Sequence, residues 1–165
     1  MLSVREICNA VSSGSKRAAD ALMESLDAIA DDDGDLNAFT TVASRDAVAR
    51  HAAQASGPLS GVALGVKDIF DTSDLPTGYG STIYAGWQPR ADAAIVAMAR
   101  RAGACIIGKT ATTEFAFFQP GRTVNPHNHA HTPGGSSSGS AAAVAASAPR
   151  PDASVSRSTC LITVS

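Results

Sequence analysis

The chain has 165 residues, a hydrophobic fraction of 44% and a formal net charge of −2 at pH 7. This length and composition suffice to bury a core, so disorder is not expected. The near-balanced charge, with 13 basic and 15 acidic residues, argues against binding to nucleic acid or to a membrane surface. Three widely separated cysteines argue against a disulfide framework and favour a reducing, cytoplasmic setting. No apolar run is long enough to span a bilayer.

Residues 1–56 are predicted to form a helical segment. Apolar residues recur with a helical period in two stretches: Val4, Ile7 and Val11, then Leu22, Leu26 and Ile29. The acidic run over 31–35 is predicted to end the second helix. A short extended piece is expected over 36–42 and a third helix over 45–55. Gly57 and Pro58 then mark a boundary.

Residues 57–147 alternate between strand-like and helix-like patterns. The predicted elements are buried strands over 62–66 and 104–107, a short helix over 114–118 and a small-residue helix over 138–147. Between the strands, Asp92 is a plausible N-cap for a helix that carries Ile95, Met98, Ala99 and Ala102 on one face. This order of elements predicts an α/β domain.

A glycine- and serine-rich loop over 133–140 leads directly into the alanine-rich helix. Its backbone N–H groups and hydroxyls gather at a helix N-terminus, where the helix dipole favours negative charge. A flexible linker would not normally continue into a run of alanines, which have high helix propensity. The loop is therefore predicted to bind an oxyanion, a carboxylate or a phosphate.

Lys67 stands at the end of an apolar, strand-like run. A buried strand would carry its amine into a low dielectric, which lowers the pKa and makes the lysine a usable base. Asp68 is expected to point to the opposite face, because adjacent strand residues alternate. Lysine paired with serine is a known scheme for activating a nucleophile, so a serine of the glycine-rich loop is a suitable partner.

Three other sequence patterns are weaker indications of function. Residues 103–110 match the phosphate-loop pattern, but their middle is apolar and strand-forming, so nucleotide binding is only the weakest alternative. Residues 135–139 match a serine elbow, yet no strand precedes them and no histidine follows them. His127, His129 and His131 alternate in a proline-bracketed loop without nearby cysteine or carboxylate, so no metal is expected. No cofactor is indicated.

The sequence resembles the amidase signature family through three motifs in order. They are GVALGVKD at 61–68, GACIIGKT at 103–110 followed by Glu114-Phe115-Ala116, and the glycine/serine-rich stretch 133–146. The resemblance covers residues 57–147 and implies an incomplete α/β/α fold with a mixed sheet, preceded by the helical N-terminal segment. It also implies hydrolysis or transfer of amide nitrogen through a Ser–cis-Ser–Lys triad, with a small-molecule amide as substrate.

The resemblance assigns roles residue by residue. Lys67 matches the base, and Ser136 matches the middle serine, whose preceding peptide bond is cis in the family. The residues expected to contact substrate are Gly134, Gly135, Ser137 and Ser138. In the implied reaction, a downstream serine attacks the amide carbonyl and its proton passes through Ser136 to neutral Lys67.

The chain departs from the family pattern beyond Ser147. The implied nucleophile should lie downstream in a Gly-Gly-Ser segment, but Cys160 stands at the expected distance and no glycine follows Gly139. We therefore expect that residues 148–165 form an aberrant, out-of-frame tail and that this truncated chain is inactive alone. Open sheet edges are expected to favour pairing of copies. The alternatives are a non-catalytic fragment that binds an amide or a partner, and a protein similar to the A component of an amidotransferase.

Overall fold

The computed structural model describes residues 3–147 and 161–165. Within these ranges the helices are α1 (Val4–Ser12), α2 (Ala18–Leu36), α3 (Arg45–Gln54), α4 (Ala94–Arg101) and α5 (Ser138–Ser147). The strands are β1 (Phe39–Val42), β2 (Ala63–Lys67), β3 (Cys105–Thr110) and β4 (Leu161–Val164). Short 3-10 turns lie at Thr82–Tyr84 and Glu114–Ala116. No helix in the described part of the chain is long and apolar enough to cross a membrane.

The four strands form one mixed sheet in the order β1-β3-β2-β4. β2 runs parallel to β3 and to β4, whereas β1 runs antiparallel to β3. The helix α4 connects the parallel neighbours β2 and β3, as a crossover between parallel strands requires. Because β2 has a neighbour on each side and helices above and below, all five of its residues are buried.

Helices cover both faces of the sheet, which confirms the predicted α/β/α arrangement. On one face, α2 and α3 pack on the strands through Leu22, Leu26, Val48, Ala63, Cys105 and Ile107. On the other face, α4 packs through Val96 against Leu64, Val66 and Ile106. The helix α5 lies beside the end of α2, where Leu36, Ala38, Ala142 and Ala143 form a separate apolar cluster.

The prediction that the acidic run over 31–35 ends the second helix is wrong, because α2 continues to Leu36. The carboxylate of Asp33 accepts the backbone N–H of Ala38 at 2.7 Å and that of Phe39 at 3.2 Å. Asn37 then adopts a left-handed conformation with φ of 53° and ends the helix. The acidic run thus links α2 to β1 by satisfying amides that follow the helix.

The predicted N-cap of α4 is also wrong. The helix begins at Ala94, and Ala93 occupies the cap position without a side-chain hydrogen bond. The carboxylate of Asp92 instead accepts hydrogen bonds from the backbone and hydroxyl of Ser73 and from Arg100. Asp92 therefore joins α4 to the loop that follows β2.

The buried face of α4 differs in part from the predicted one. Val96 is fully buried against the sheet, whereas Ile95 is 41% exposed and Met98 is 57% exposed. Ala99, on the predicted face, packs against the same core cluster as Val96. All four side chains are apolar, and a helix of about two turns is too short for its hydrophobic period to define one buried face. Packing against the strands decides which of them is covered.

The two predicted strands are confirmed as β2 and β3 with shifted ends, and α5 has the predicted bounds. The short helix predicted over 114–118 is only the 3-10 turn Glu114–Ala116. The N-terminal segment contributes β1 to the sheet in addition to its helices. Within the predicted tail, Leu161–Val164 forms β4 beside β2, while Cys160 lies outside the described residues.

Candidate active site

Lys67 is the last residue of β2, where the strand is paired with β3 at Thr110. Its side chain extends to the face of the sheet that carries α5, and the residue is only 6% exposed. The amine Nζ donates a hydrogen bond to Oγ of Ser136 at 2.7 Å. The contact expected between the strand lysine and the glycine-rich loop is therefore present.

Ser136 is half-buried and is held through its backbone. The peptide bond between Gly135 and Ser136 is cis, as the family resemblance implied. The carbonyl oxygen of Ser136 accepts the N–H of Thr113 at 3.0 Å and the hydroxyl of Thr112 at 3.2 Å. The carbonyl of Ser136 thus faces the segment after β3 while its hydroxyl faces Lys67.

The environment of Lys67 favours the uncharged amine. Burial lowers the pKa of Lys67, because removal from water disfavours the ammonium form. The site can therefore present a lysine that accepts a proton.

The four residues predicted to contact substrate lie around the entrance to α5. Gly134 and Gly135 lie just before the helix, and Gly134 has a φ of 87° that glycine adopts without strain. Ser137 is half-buried, and its carbonyl oxygen accepts the N–H of Ala141. Ser138 is buried, and its hydroxyl donates to the carbonyl oxygen of Ala111 at 3.3 Å. The Ser138 hydroxyl thus anchors α5 on the sheet.

A buried ion pair beside Lys67 was not found by sequence reasoning. Oδ1 of Asp68 lies 3.1 Å from Nζ of Lys109, and both side chains are buried. This contact is ionic rather than an aligned hydrogen bond, while Lys109 also donates to the hydroxyl of Thr77 at 2.6 Å. Burial raises the pKa of Asp68 and lowers that of Lys109, and each charge opposes the shift of the other.

The lysine of the phosphate-loop pattern over 103–110 is Lys109, which lies in the core. Those residues include the buried strand β3, and Lys109 is fully buried with a carboxylate partner. The alternation of side chains along the two strands could have indicated the Asp68–Lys109 pair from the sequence. Asp68 follows β2 and Lys109 lies near the end of β3, both on the face opposite to Lys67.

The three alternating histidines, His127, His129 and His131, lie in a largely exposed loop. Among the residues that the structure describes, no group of three or more histidine, cysteine or acidic side chains is arranged to hold a metal ion.

Comparison with known proteins identifies the family. The family model named Amidase matches residues 20–149. The chain belongs to the amidase family. Its curated amidase relatives include the A component of the glutamyl-tRNA(Gln) amidotransferase of Thermobifida fusca, which is 43% identical over 149 residues, or 82% of this chain. The corresponding protein of Rhodopirellula baltica is 40% identical over 148 residues, or 81% of this chain. The chain spans 30% of the length of each of these relatives.

Solved amidase structures have the same fold. The peptide amidase of Stenotrophomonas maltophilia superposes with a TM-score of 0.78 at 30% identity, covering 87% of this chain and 34% of that protein. The 6-aminohexanoate cyclic dimer hydrolase bound to its substrate gives 0.79 at 29% identity, covering 88% of this chain and 32% of the hydrolase. The mixed sheet and its covering helices are therefore those of amidase family enzymes.

Proposed function

We propose that this amidase family chain carries the proton-transfer part of a site that cleaves amide C–N bonds. Lys67 is the general base, and Ser136 relays protons between Lys67 and the attacking group. The observation that supports these roles is the 2.7 Å hydrogen bond from a buried lysine amine to the Ser136 hydroxyl. The lowered pKa of Lys67, caused by burial, favours its use as a base.

In the proposed reaction, the attacking group gives its proton to Oγ of Ser136 as the hydroxyl proton of Ser136 moves to Nζ of Lys67. A bond forms between the attacking atom and the amide carbonyl carbon. The C–N bond then breaks as the proton returns along the same path to the leaving nitrogen, which departs as an amine or ammonia. Water later hydrolyses the acyl intermediate by the same proton route.

The loop before α5 is proposed to stabilise the negative charge that develops on the carbonyl oxygen. Backbone N–H groups at a helix N-terminus are suited to an oxyanion. Gly134, Gly135 and Ser137 supply incompletely buried backbone at this point. Ser138 would take part through its N–H group, since its hydroxyl already donates to Ala111.

The attacking group is not assigned among residues 3–147 and 161–165. Cys160, at the expected position, lies outside the described residues and lacks the glycines that the role requires. We therefore propose that the chain alone does not turn over amides.

The experiment compares the chain alone with a hybrid in which residues 1–147 precede the remainder of the Thermobifida fusca relative. Ammonia release from benzamide is measured for both proteins and for their Lys67→Ala variants. We expect release only from the hybrid with Lys67 intact. Release that survives Lys67→Ala would contradict the role of the lysine, and Lys67-dependent release by the chain alone would contradict its inactivity.

A second candidate function is transfer of amide nitrogen rather than its release. Curated relatives at 39–43% identity are A components of glutamyl-tRNA(Gln) amidotransferases. The same hybrid distinguishes the two functions when glutamyl-tRNA(Gln) is supplied as acceptor together with ATP and magnesium, because the carboxylate of the acceptor must be activated before nitrogen can replace its oxygen. Nitrogen that appears on the acceptor favours transfer, and free ammonia alone favours hydrolysis.

A non-catalytic role would leave a different signature. A rise in melting temperature with benzamide, without any product from chain or hybrid, would indicate a fragment that only binds an amide.

Pairing of copies is a further proposal, since β1 and β4 are the outer strands of the described sheet. We also propose a cytoplasmic location, in keeping with the free thiols of Cys8 and Cys105.

A further inference from the structure

Asp68 directly follows Lys67, and its polar groups hold the end of β2 in place. Its N–H donates to the carbonyl oxygen of Thr110 at 2.9 Å, and its carbonyl oxygen accepts the N–H of Tyr79 at 3.0 Å. Its Oδ2 accepts the N–H of Gly78 at 3.1 Å, and Oδ1 lies 3.1 Å from Nζ of Lys109. Asp68 therefore connects β2 to β3 and to the loop over 76–79.

Lys109 completes this connection from β3. It is fully buried, and its amine donates to the hydroxyl of Thr77 at 2.6 Å and to the carbonyl oxygen of Pro76 at 3.3 Å. Two charges removed from water carry a desolvation penalty that their attraction seldom exceeds by much. A gain in the stability of the whole fold is thus a weak explanation for the Asp68–Lys109 pair. A better explanation is that the pair holds the end of β2 and the loop over 76–79 in a defined arrangement.

The same loop also reaches Ser136. The carbonyl oxygen of Tyr79 accepts the N–H of Phe115 at 2.8 Å, and the nearby Thr113 donates its N–H to Ser136. A Cβ on Gly80 would meet the carbonyl oxygen of Thr113 at 2.8 Å, so this loop packs closely on the segment that holds Ser136. Both partners of the Lys67–Ser136 contact are therefore tied to the Asp68–Lys109 pair.

We propose that the buried Asp68–Lys109 pair is a positioning device that keeps the amine of Lys67 on the hydroxyl of Ser136. The pair lies on the opposite face of the sheet and acts through the strand end and the loop over 76–79. The proposal rests on the proposed role of Lys67 as a base. Lys109 and Asp68 are positioning residues, since they do not touch the reacting atoms.

Other ionisable groups around this region have partners of their own. Asp71 accepts the hydroxyl of Tyr79 at 2.5 Å, and Glu114 accepts the hydroxyl of Ser81 at 2.7 Å. Among the residues that the structure describes, Asp71 and Asp74 also raise the pKa of Lys109, so they belong to the charged surroundings of the pair. A change in the titration of Lys67 that persists when both charges of the pair are removed cannot come from the loss of one of those charges alone.

The lysine content of the chain makes a direct test practical. The sequence contains three lysines, Lys16, Lys67 and Lys109. Lysine labelled with carbon-13 at Cε gives one NMR signal per residue, and the Lys67→Arg variant assigns the signal of Lys67. The pKa of Lys67 in the folded protein is then read from its chemical shift against pH, whether or not any amide is hydrolysed.

In the Lys109→Met variant, we expect the pKa of Lys67 to rise by about one pH unit, as a released amine gains water. Lys109→Met leaves a buried carboxylate unpaired, so Asp68→Asn/Lys109→Met provides a second variant without that charge. The same rise is expected there, because the contacts with Thr77 and Pro76 are lost. Ile7→Ala is the control, since it removes packing in a separate core cluster with Ala21 and Val62 and should leave the titration of Lys67 unchanged.

An unchanged Lys67 titration in either folded Lys109 variant would overturn the positioning role. An equal change in Ile7→Ala would also overturn it, because any loss of stability would then suffice. A normal lysine pKa in the unaltered protein would instead count against the proposed function of Lys67. The two failures are therefore distinguishable.

Discussion

The backbone N–H of Gly139 donates to the carbonyl oxygen of Ala111 at 2.9 Å, so the first turn of α5 lies directly against the chain that leaves β3. A Cβ at Gly139 would collide with the backbone of both Ala38 and Ala111. Glycine is required here by this close approach rather than by its backbone angles. The contact sets the position of the loop before α5 and hence the position of Ser136 relative to Lys67.

Gly139→Ala is expected to destabilise the protein by about 3 kcal/mol, at the upper end of the usual cost of overpacking, because backbone atoms on both sides cannot give way. Urea unfolding at neutral pH measures the change in the free energy of unfolding.

Gly34→Ala is the matched control. Gly34 also lies within a helix, but a Cβ there has nothing within 4 Å. Alanine in place of helical glycine should therefore stabilise the protein by about 0.5–1 kcal/mol. Equal losses in the two variants would show that helix α5 does not approach the sheet as closely as described.

The stability contributed by Lys67 should depend on pH with a definite sign. Its folded-state pKa lies below the ordinary value of 10.5, because of burial. Between those two pKa values the unfolded chain binds a proton that the folded chain does not. The free energy of unfolding must therefore rise with pH through that window.

The measurement compares the unaltered chain with Lys67→Met by urea unfolding between about pH 7 and about pH 10. The stability of the unaltered chain relative to Lys67→Met should increase as pH rises, since methionine has no proton to release. Lys109 is present in both proteins, so its own titration cancels. A difference that stays flat or falls with pH would show that Lys67 is not desolvated.

The hydroxyls of Thr110 and Ser140 are hydrogen-bonded at 2.9 Å in a buried position. Ser140→Ala should cost about 1–3 kcal/mol, because it leaves the Thr110 hydroxyl buried without this partner. The double variant Thr110→Val/Ser140→Ala should recover most of that loss, since neither hydroxyl is then left unpaired. A double-mutant cycle by thermal or urea unfolding measures the coupling, and strictly additive losses would show that the two hydroxyls do not interact.

Cys105 is expected to be unreactive while the protein is folded. It is buried, and burial raises the pKa of its thiol to about 12, so almost no thiolate exists near neutral pH. In a Cys160→Ser background, a thiol reagent near pH 8 should label Cys105 only as fast as the protein unfolds. The half-buried Cys8 is the internal comparison. Rapid labelling of Cys105 in native protein would contradict its place in the core.

Local sequence features predicted some elements closely and others poorly. The bounds of α5 were predicted correctly, because a glycine-rich start and an alanine run act through short-range propensity. The end of α2 was not, because the acidic residues that suggested a stop include Asp33, whose carboxylate satisfies amides after the helix. An aspartate in such a run can end a helix or accept hydrogen bonds from amides beyond it, and only its hydrogen-bond partners in the structure distinguish the two outcomes.

By itself, the sequence determined the order of the elements from α1 to α5, the burial of β2 and β3, and Lys67 as a candidate base, because hydrophobic pattern is a local property. The choice of Ser136 as its partner came from the resemblance to the amidase signature family. Only the tertiary structure decided that Val96 rather than Ile95 faces the sheet, that the Ser138 hydroxyl anchors α5, and that Lys109 serves Asp68 instead of a phosphate. Those outcomes depend on which atoms meet across separate elements. A buried charge or hydroxyl takes whichever partner the packed chain places within reach, since leaving it unpaired in the interior is costly.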